Sequence, residues 1–401
     1  MAKNESIPQR FERGSSAVSD EIPLSVPEIR GNEWQYVKEC LDTNFVSSVG
    51  PFVTRFEETF AESLAAPYAV ACASGTAAIH VALEVAGVGR GDEVFVSDFT
   101  FVATANPIVY RGAEPVFVDA DDRSWNMDPR LVVAELERRA ARGLRQPKAV
   151  LVAHVLGLPA DVAAIKYACD HHGILLIEDA AEALGASYSS GPLAGNRVGT
   201  VGLLGCFSFN GNKIITTGGG GMIVTSDIDL ARRSRHLTTQ AKLPGPEYIH
   251  DTVGYNYRLT NLAAALGLAQ LEKLPEFLAR KRAIAGRYDA ILREIPGITV
   301  PPRPEWADPS AWLYSIMIDD SVTGVDRTQV FERLQTVGIQ TRPVWAPLHK
   351  MSFYKHAPRL GGSVAERLFA QGLSLPCSVG LASEAQDRVI EELLACIQTT
   401  R

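Results

Sequence analysis

Short, continuously apolar runs recur between helical stretches from about residue 68 onward, and this alternation restricts the architecture more than any other feature. The runs are Tyr68–Cys72, Glu93–Ser97 (EVFVS), Pro115–Asp119 (PVFVD), Ala149–Ala153 (AVLVA) and Ile174–Ile177 (ILLI). Between them, Ala77–Ala86, Pro129–Arg139 and Ala160–His171 are helical in composition. A strand that is apolar throughout has both faces covered, and strands joined through helices lie parallel. The expected class is therefore α/β with a mostly parallel sheet. In such sheets ligands sit outside the carboxyl ends of the strands.

The pattern changes near Gly202–Thr225, where GLLGCFSF, GNKIITTGGGG and MIVT read as strand, exposed turn, strand. Thr260–Glu294 is a long helical run in which Leu262, Leu266, Leu271, Leu274 and Phe277 recur near helical period. Pro275 should bend or break it. After the turn-forming pair Pro296-Gly297 come a strand at Ala311–Ile318, a helix at Arg327–Val337, a strand at Ile339–Val344 and a last helix at Glu384–Ile397. The organisation predicts a tail over 1–21, a large domain over 22–275, and a connecting helix with a small α/β domain over 276–401. No internal repeat or low-complexity segment interrupts it.

Composition narrows the function classes. Of the 401 residues, 46% are hydrophobic and 21% charged, which excludes a disordered or fibrous chain. No apolar run approaches the roughly 20 residues of a membrane helix. The polar opening MAKNESIPQRFERGSSAVSD lacks the apolar stretch of a signal peptide. A net charge of −7 argues against a general nucleic-acid binder, although a local pocket can still take an anion. Cys40, Cys72, Cys169, Cys206, Cys377 and Cys396 are scattered without a CxxC or Cys/His cluster, so neither a zinc site nor a disulfide framework is supported. No metal is expected, and a reducing cytoplasm is the simplest location.

Three features could carry chemistry. Asp179 ends the strand ILLIED, where a carboxylate would enter the ligand crevice, while Glu178 beside it points the other way. Lys213 lies on the turn of SFNGNKIITTGGGG, where desolvation would lower its pKa and make it nucleophilic. Ser74-Gly75-Thr76 falls between strand and helix, where free amides can cradle a phosphate. Each alone also has a plain structural explanation: a solvated strand end, a surface lysine, an ordinary N-cap. Gly218–Gly221 imply close backbone approach or unusual dihedrals. They form neither a P-loop nor a dinucleotide fingerprint, and Ser74 lacks the GxSxG elbow of a hydrolase. Together the three features fit pyridoxal 5′-phosphate, which needs a lysine for a Schiff base, an acid at the pyridine nitrogen and a phosphate cradle.

The chain resembles the DegT/DnrJ group of sugar aminotransferases from about Ile22 to its C-terminus. The motifs that carry this are VSSVGPFVTRFE, ACASGTAAIH, DFTFVATANP, HVLGLPADV, IEDAAEALGA, SFNGNKIITTGGGGM, GYNYRLTN and TRPVWAPLH, in family order. The resemblance implies pyridoxal-phosphate fold type I, like aspartate aminotransferase. It implies that Lys213 holds the cofactor, Asp179 meets the pyridine nitrogen, Gly75, Thr76 and Ser208 contact the phosphate, and Phe101 stacks on the ring. Asn256 and Arg258 would reach the phosphate and the substrate of a neighbouring subunit, which implies a homodimer with shared sites. His349, Trp345 and His154 are substrate-site candidates. Many members read EDAAQ where this chain has Glu182, a site residue whose role the resemblance leaves open.

Relatives that dehydrate sugars carry His at the Lys213 position. The segment LTTQAKLPGPEYIHDTVGYNYRLTN is most similar to the branch that aminates C4 of nucleotide-linked 4-keto-6-deoxy sugars, as in legionaminic-acid, bacillosamine and perosamine-type pathways. L-glutamate is the implied amino donor, and surface-polysaccharide or glycoconjugate sugars are the implied destination. The competing expectations are a pyridoxal enzyme acting on a 3-keto sugar or cyclitol, a sugar dehydratase, and a non-catalytic regulator.

Overall fold

A computed structural model describes residues 21–398, so the tail expected over 1–21 lies outside the described residues except for Glu21. The centre is an eight-stranded sheet. Its strands are β1 (Tyr68–Cys72), β2 (Glu93–Ser97), β3 (Glu114–Val118), β4 (Ala149–Ala153), β5 (Leu175–Asp179), β6 (Leu204–Ser208) and β7 (Gly221–Thr225), with Arg359–Leu360 as a short edge strand. The spatial order is β1-β7-β6-β5-β4-β2-β3 and then the edge strand. Only β7 runs against its neighbours, antiparallel to both β1 and β6. The expected α/β class with a mostly parallel sheet is the one observed.

The continuous apolar runs are explained by a core on each face. Phe95, Val116, Val150 and Leu176 pack into one buried cluster. Val94, Phe117, Leu151 and Ile177 pack into another. Adjacent residues of one strand thus serve opposite layers, as the pleat requires. Helix Gly75–Val85 covers the second face, and helices Pro51–Ser63 and Asn261–Glu272 cover the first. Parallel crossovers bring the carboxyl ends of β2, β4, β5 and β6 to one rim.

The helical run over Thr260–Glu294 is two helices, Asn261–Glu272 and Leu274–Leu292, parted at Lys273. Pro275 falls in the first turn of the second, where its missing N–H has no intrahelical acceptor to lose. The C-terminal part forms a four-stranded antiparallel sheet from Ile298–Thr299, Tyr314–Ile318, Arg342–Pro343 and Gly372–Leu375. Its core is Tyr288, Tyr314, Ile316, Leu334 and Leu373. The strand expected over Ile339–Val344 is limited to Arg342–Pro343, while Ile339 bridges Ile22 in parallel. Chain also crosses between the two parts. Ile22 packs with the C-terminal core, and Arg359–Leu360 extends the central sheet beside β3.

One sequence expectation is corrected. The connection between β6 and β7 is an exposed turn only in part, at Asn210, Asn212, Gly218 and Gly219. Phe209, Ile214, Ile215, Thr216 and Thr217 are buried, because the segment folds under helix Asn261–Glu272, whose Gln270 approaches the Thr216 amide.

Candidate active site

The rim of the sheet opens into a cavity of about 270 Å³. Gly75, Thr76, Phe101, His154, Asp179, Glu182, Ser208, Lys213 and Trp345 line it. The fold therefore brings together residues spread over more than half of the chain.

One end is a small-residue corner. Ser74 is extended and caps helix Gly75–Val85, its Oγ accepting the Ala77 N–H at 3.1 Å. The first amides of a helix have no intrahelical acceptor, and those of Gly75 and Thr76 belong to residues of the cavity wall. Glycine is required here by close approach. A Cβ on Gly75 would lie 2.7 Å from the Ser208 Cβ, and one on Gly221 would lie 2.4 Å from the Ser74 carbonyl oxygen. The corner is a concave nest of amides and hydroxyls, suited to a phosphate group.

Asp179 ends β5 at the floor. Its Oδ2 accepts the Thr104 hydroxyl at 2.7 Å and its Oδ1 accepts the Ala181 N–H at 3.0 Å. Thr100 and Thr104 hydroxyls meet at 2.9 Å, continuing this chain of bonds. Burial pushes the Asp179 carboxyl above its ordinary range, against the pull of Thr104, Ala181, Lys213 and His154. Such a carboxylate is short of positive charge, and a protonated ring nitrogen would supply it.

Lys213 enters from the β6–β7 connection with its side chain 13% exposed. Its Nζ lies 3.7 Å from Glu182 Oε1 and 3.8 Å from the centre of the Trp312 ring. Burial lowers its pKa, opposed by Glu182 and Asp179. Glu182 is pushed up to about 7 by burial, which outweighs Lys213 and the Leu156 N–H. That N–H donates to Glu182 Oε2 at 2.9 Å from a residue in the left-handed region, φ 60°. A half-neutral carboxyl beside an amine of lowered pKa is a pair able to exchange a proton.

Two histidine candidates have other employment. His154 lines the cavity, but its Nδ1 accepts the Ala160 N–H at 3.0 Å and its Nε2 donates to Glu178 at 3.0 Å. No ring nitrogen is left for a substrate. His349 is not brought to the cavity. Its Nδ1 bonds Asp98, its Nε2 bonds Glu366 at 3.0 Å, and its N–H donates to Asp98 Oδ1 at 3.0 Å. Asn256 and Arg258 also lie outside this chain's own cavity. Gln240 donates to Asn256 Oδ1, and Arg258 Nε donates to the Ser48 carbonyl.

Sequence reading missed Thr104 and Trp312. Thr104 lies inside the quoted DFTFVATANP, yet nothing in its spacing links it to a residue 75 positions away. Trp312 stands in an apolar run and reads there as core.

The corner, the uncompensated carboxylate and the buried amine fit the three ends of pyridoxal phosphate: its phosphate, its ring nitrogen and its aldehyde. The comparisons with known proteins agree. The DegT/DnrJ/EryC1/StrS aminotransferase family matches over residues 27–394. EpsN of Bacillus subtilis, itself assigned as a pyridoxal phosphate-dependent aminotransferase by inference alone, is 41% identical over 384 residues, 94% of this chain and 96% of that protein. GDP-perosamine synthase of Caulobacter vibrioides is 40% identical over 373 residues, 93% of this chain and 97% of that protein. The crystal structure of DesI in the presence of its TDP-sugar product superposes with a TM-score of 0.84 at 30% identity, covering 94% of this chain and 93% of DesI. The fold is thus pyridoxal-phosphate fold type I, the cofactor is pyridoxal phosphate, and the chain belongs to the DegT/DnrJ/EryC1/StrS aminotransferase family.

Proposed function

We propose that this protein transfers an amino group from L-glutamate to C4 of a nucleotide-linked 4-keto-6-deoxy sugar, for surface-polysaccharide or glycoconjugate synthesis. The observation that carries the reading is the buried amine of Lys213, set between Glu182 and the Trp312 ring in a cavity floored by Asp179. The 40% identity to a GDP-perosamine synthase and the likeness to DesI support the sugar class.

Bound pyridoxal phosphate supplies an aldehyde that links to amines and a ring that draws electrons from the carbon beside the nitrogen. Lys213 would hold the cofactor through its amine, and that amine, when free, would take the proton from the donor α-carbon as a base and give it back as an acid. Its lowered pKa keeps more of the amine neutral for that work. Asp179 holds positive charge on the ring nitrogen, and its burial makes this interaction stronger than it would be in water. Gly75, Thr76 and Ser208 hold the phosphate. Phe101, 52% exposed at the cavity mouth, covers the ring. Trp345 contributes an apolar wall for the sugar.

Asn256 and Arg258 serve the site of a second copy. They follow a segment in which Tyr248 and Val253 are 87% and 81% exposed, apolar surface of the kind a partner covers. The homodimer is read on that basis, and no helix among the described residues is long and apolar enough to cross a membrane. Cytoplasmic residence is proposed on the same ground as before, the scattered cysteines without a CxxC or Cys/His cluster.

Lys213→Ala should abolish turnover and the visible absorption of the lysine-bound cofactor. Steady-state transamination by that variant would refute the reading. A panel of GDP-, UDP- and dTDP-linked 4-keto sugars with glutamate, with products solved by NMR, tests the sugar. Amination at C3 or of a cyclitol would redirect it.

A further inference from the structure

Trp312 precedes the strand Tyr314–Ile318 of the C-terminal part, yet its ring faces the lysine of the central sheet. Its indole N–H donates to the Asn212 carbonyl at 2.7 Å, one residue before Lys213. Its ring face lies 3.8 Å from Lys213 Nζ. Trp312 belongs to the buried core, where an indole N–H needs a partner; here that partner is the residue before the lysine, and the lysine amine lies on the ring face.

The ring itself is held firmly. Trp345 stacks on it at 6.3 Å and 11°. Ala311 before it is left-handed, φ 54°. The Gly157 corner fits against its backbone so closely that a Cβ there would lie 2.6 Å from the Trp312 nitrogen. The Ser310 N–H donates to the Gly157 carbonyl at 3.0 Å, and the Cys377 thiol approaches the Trp312 carbonyl at 3.5 Å. That Gly157 corner adjoins Leu156, whose N–H holds Glu182. Lys213 and its carboxyl neighbour are therefore both referred to one loop of the C-terminal part.

We propose that Trp312 is the positioning residue for Lys213: its indole N–H fixes the turn that carries the lysine, and its ring face holds the amine nitrogen over the cavity. The inference rests on the reading of Lys213 as the cofactor-linking base and extends it to a residue supplied from outside the central sheet. A ring face attracts cations through its quadrupole, most strongly where water is excluded. It acts in the same direction as Glu182, favouring the charged form of the nitrogen.

The test compares the holoenzyme with two variants. Trp312→Phe keeps a ring face and deletes the N–H donor, while Trp312→Leu deletes both. The first readout is the pH titration of the visible band of lysine-bound pyridoxal phosphate, which requires no turnover. Trp312→Leu should lower its midpoint by about one pH unit, and Trp312→Phe should leave it within about 0.3 unit. The second readout is the glutamate half-reaction, where Trp312→Phe should lower kcat about fivefold at unchanged KM, the size of one lost hydrogen bond. A wild-type midpoint in Trp312→Leu, or a wild-type kcat in Trp312→Phe, would overturn the positioning role. Should Trp312→Leu not fold, the kcat of Trp312→Phe decides. If the wild type itself shows no visible band, it is the reading of Lys213 that fails, and this inference falls with it.

Discussion

Glu178 and Asp179 are neighbours on β5 and belong to opposite faces of the sheet. Both are buried, and their surroundings differ in one respect, the supply of donors. Glu178 accepts the His154 Nε2–H at 3.0 Å and the N–H groups of Gly199, Val201 and Gly202 at 3.0, 2.7 and 2.6 Å. Although burial would raise its pKa, His154 and the amides of Gly202 and Gly199 hold it below the ordinary value. Asp179 has two donors and stays above its ordinary value. Glu178 is a carboxylate the fold has already neutralised, and its work is to join β5, the His154 corner and the 199–202 turn. Asp179 is a carboxylate left short of positive charge beside a cavity. The difference separates a structural carboxylate from one that awaits a cationic ligand.

The sharpest break of this comparison is Glu178→Ala, which strands a histidine and three amides in the core. Removing one partner of a buried pair costs about 3–5 kcal/mol, so urea unfolding should show a loss of that size. A loss below about 1 kcal/mol would contradict the structural assignment. Asp179→Asn should do the reverse. Turnover should fall about 100- to 1000-fold, as when a group aimed at charge in the reaction is removed. The cofactor-free variant should be no less stable than wild type near neutral pH, since a desolvated charge has been deleted. Paired assays of kcat and unfolding check both halves.

Glu182 offers a third contrast through pH. Its folded pKa of about 7 lies above the ordinary 4.5. The folded state therefore holds this proton more tightly, and the associated stability is complete below about pH 4.5 and lost as pH rises through about 7. Glu182→Gln in the cofactor-free protein should remove that loss. Its stability relative to wild type should grow by roughly 2–3 kcal/mol between about pH 5 and about pH 8. A difference that does not change with pH would show Glu182 ionised throughout. The smallest effect belongs to Thr104→Val, which removes the hydroxyl at Asp179 Oδ2. It should lower kcat severalfold, the worth of a bond of about 1 kcal/mol, and leave the melting temperature within a few degrees.

Much of the molecule was legible in short stretches of chain. Ala149–Ala153 is apolar throughout because both its faces are covered, and Ser74 before Gly75 announces a helix start that the structure realises with an Ala77 N–H bond. Pro275 marked the break between two helices. Other elements carried weaker local signals. Helices Glu33–Asp42 and Ile228–Thr238 went unread because their sequences, EWQYVKECLD and IDLARRSRHLT, are polar on half or more of their positions. At the site, the motifs around Lys213, Asp179 and the Ser74 corner were visible, while the placement of the histidines was not. The fold sets His154 at the cavity between Glu178 and the Ala160 N–H, and His349 away from it between Asp98 and Glu366.

By itself, then, the sequence determined the strand and helix alternation, the glycine-lined corner and the turn that carries Lys213, since these depend on neighbours a few residues apart. Only the tertiary structure decided which carboxylate is satisfied, which histidine is occupied and which indole covers Lys213. Those outcomes turn on donors and rings that arrive from 100 residues away, as from Trp312 to Asn212, or from 251, as from Asp98 to His349, and no local pattern records where a crossover will set them down.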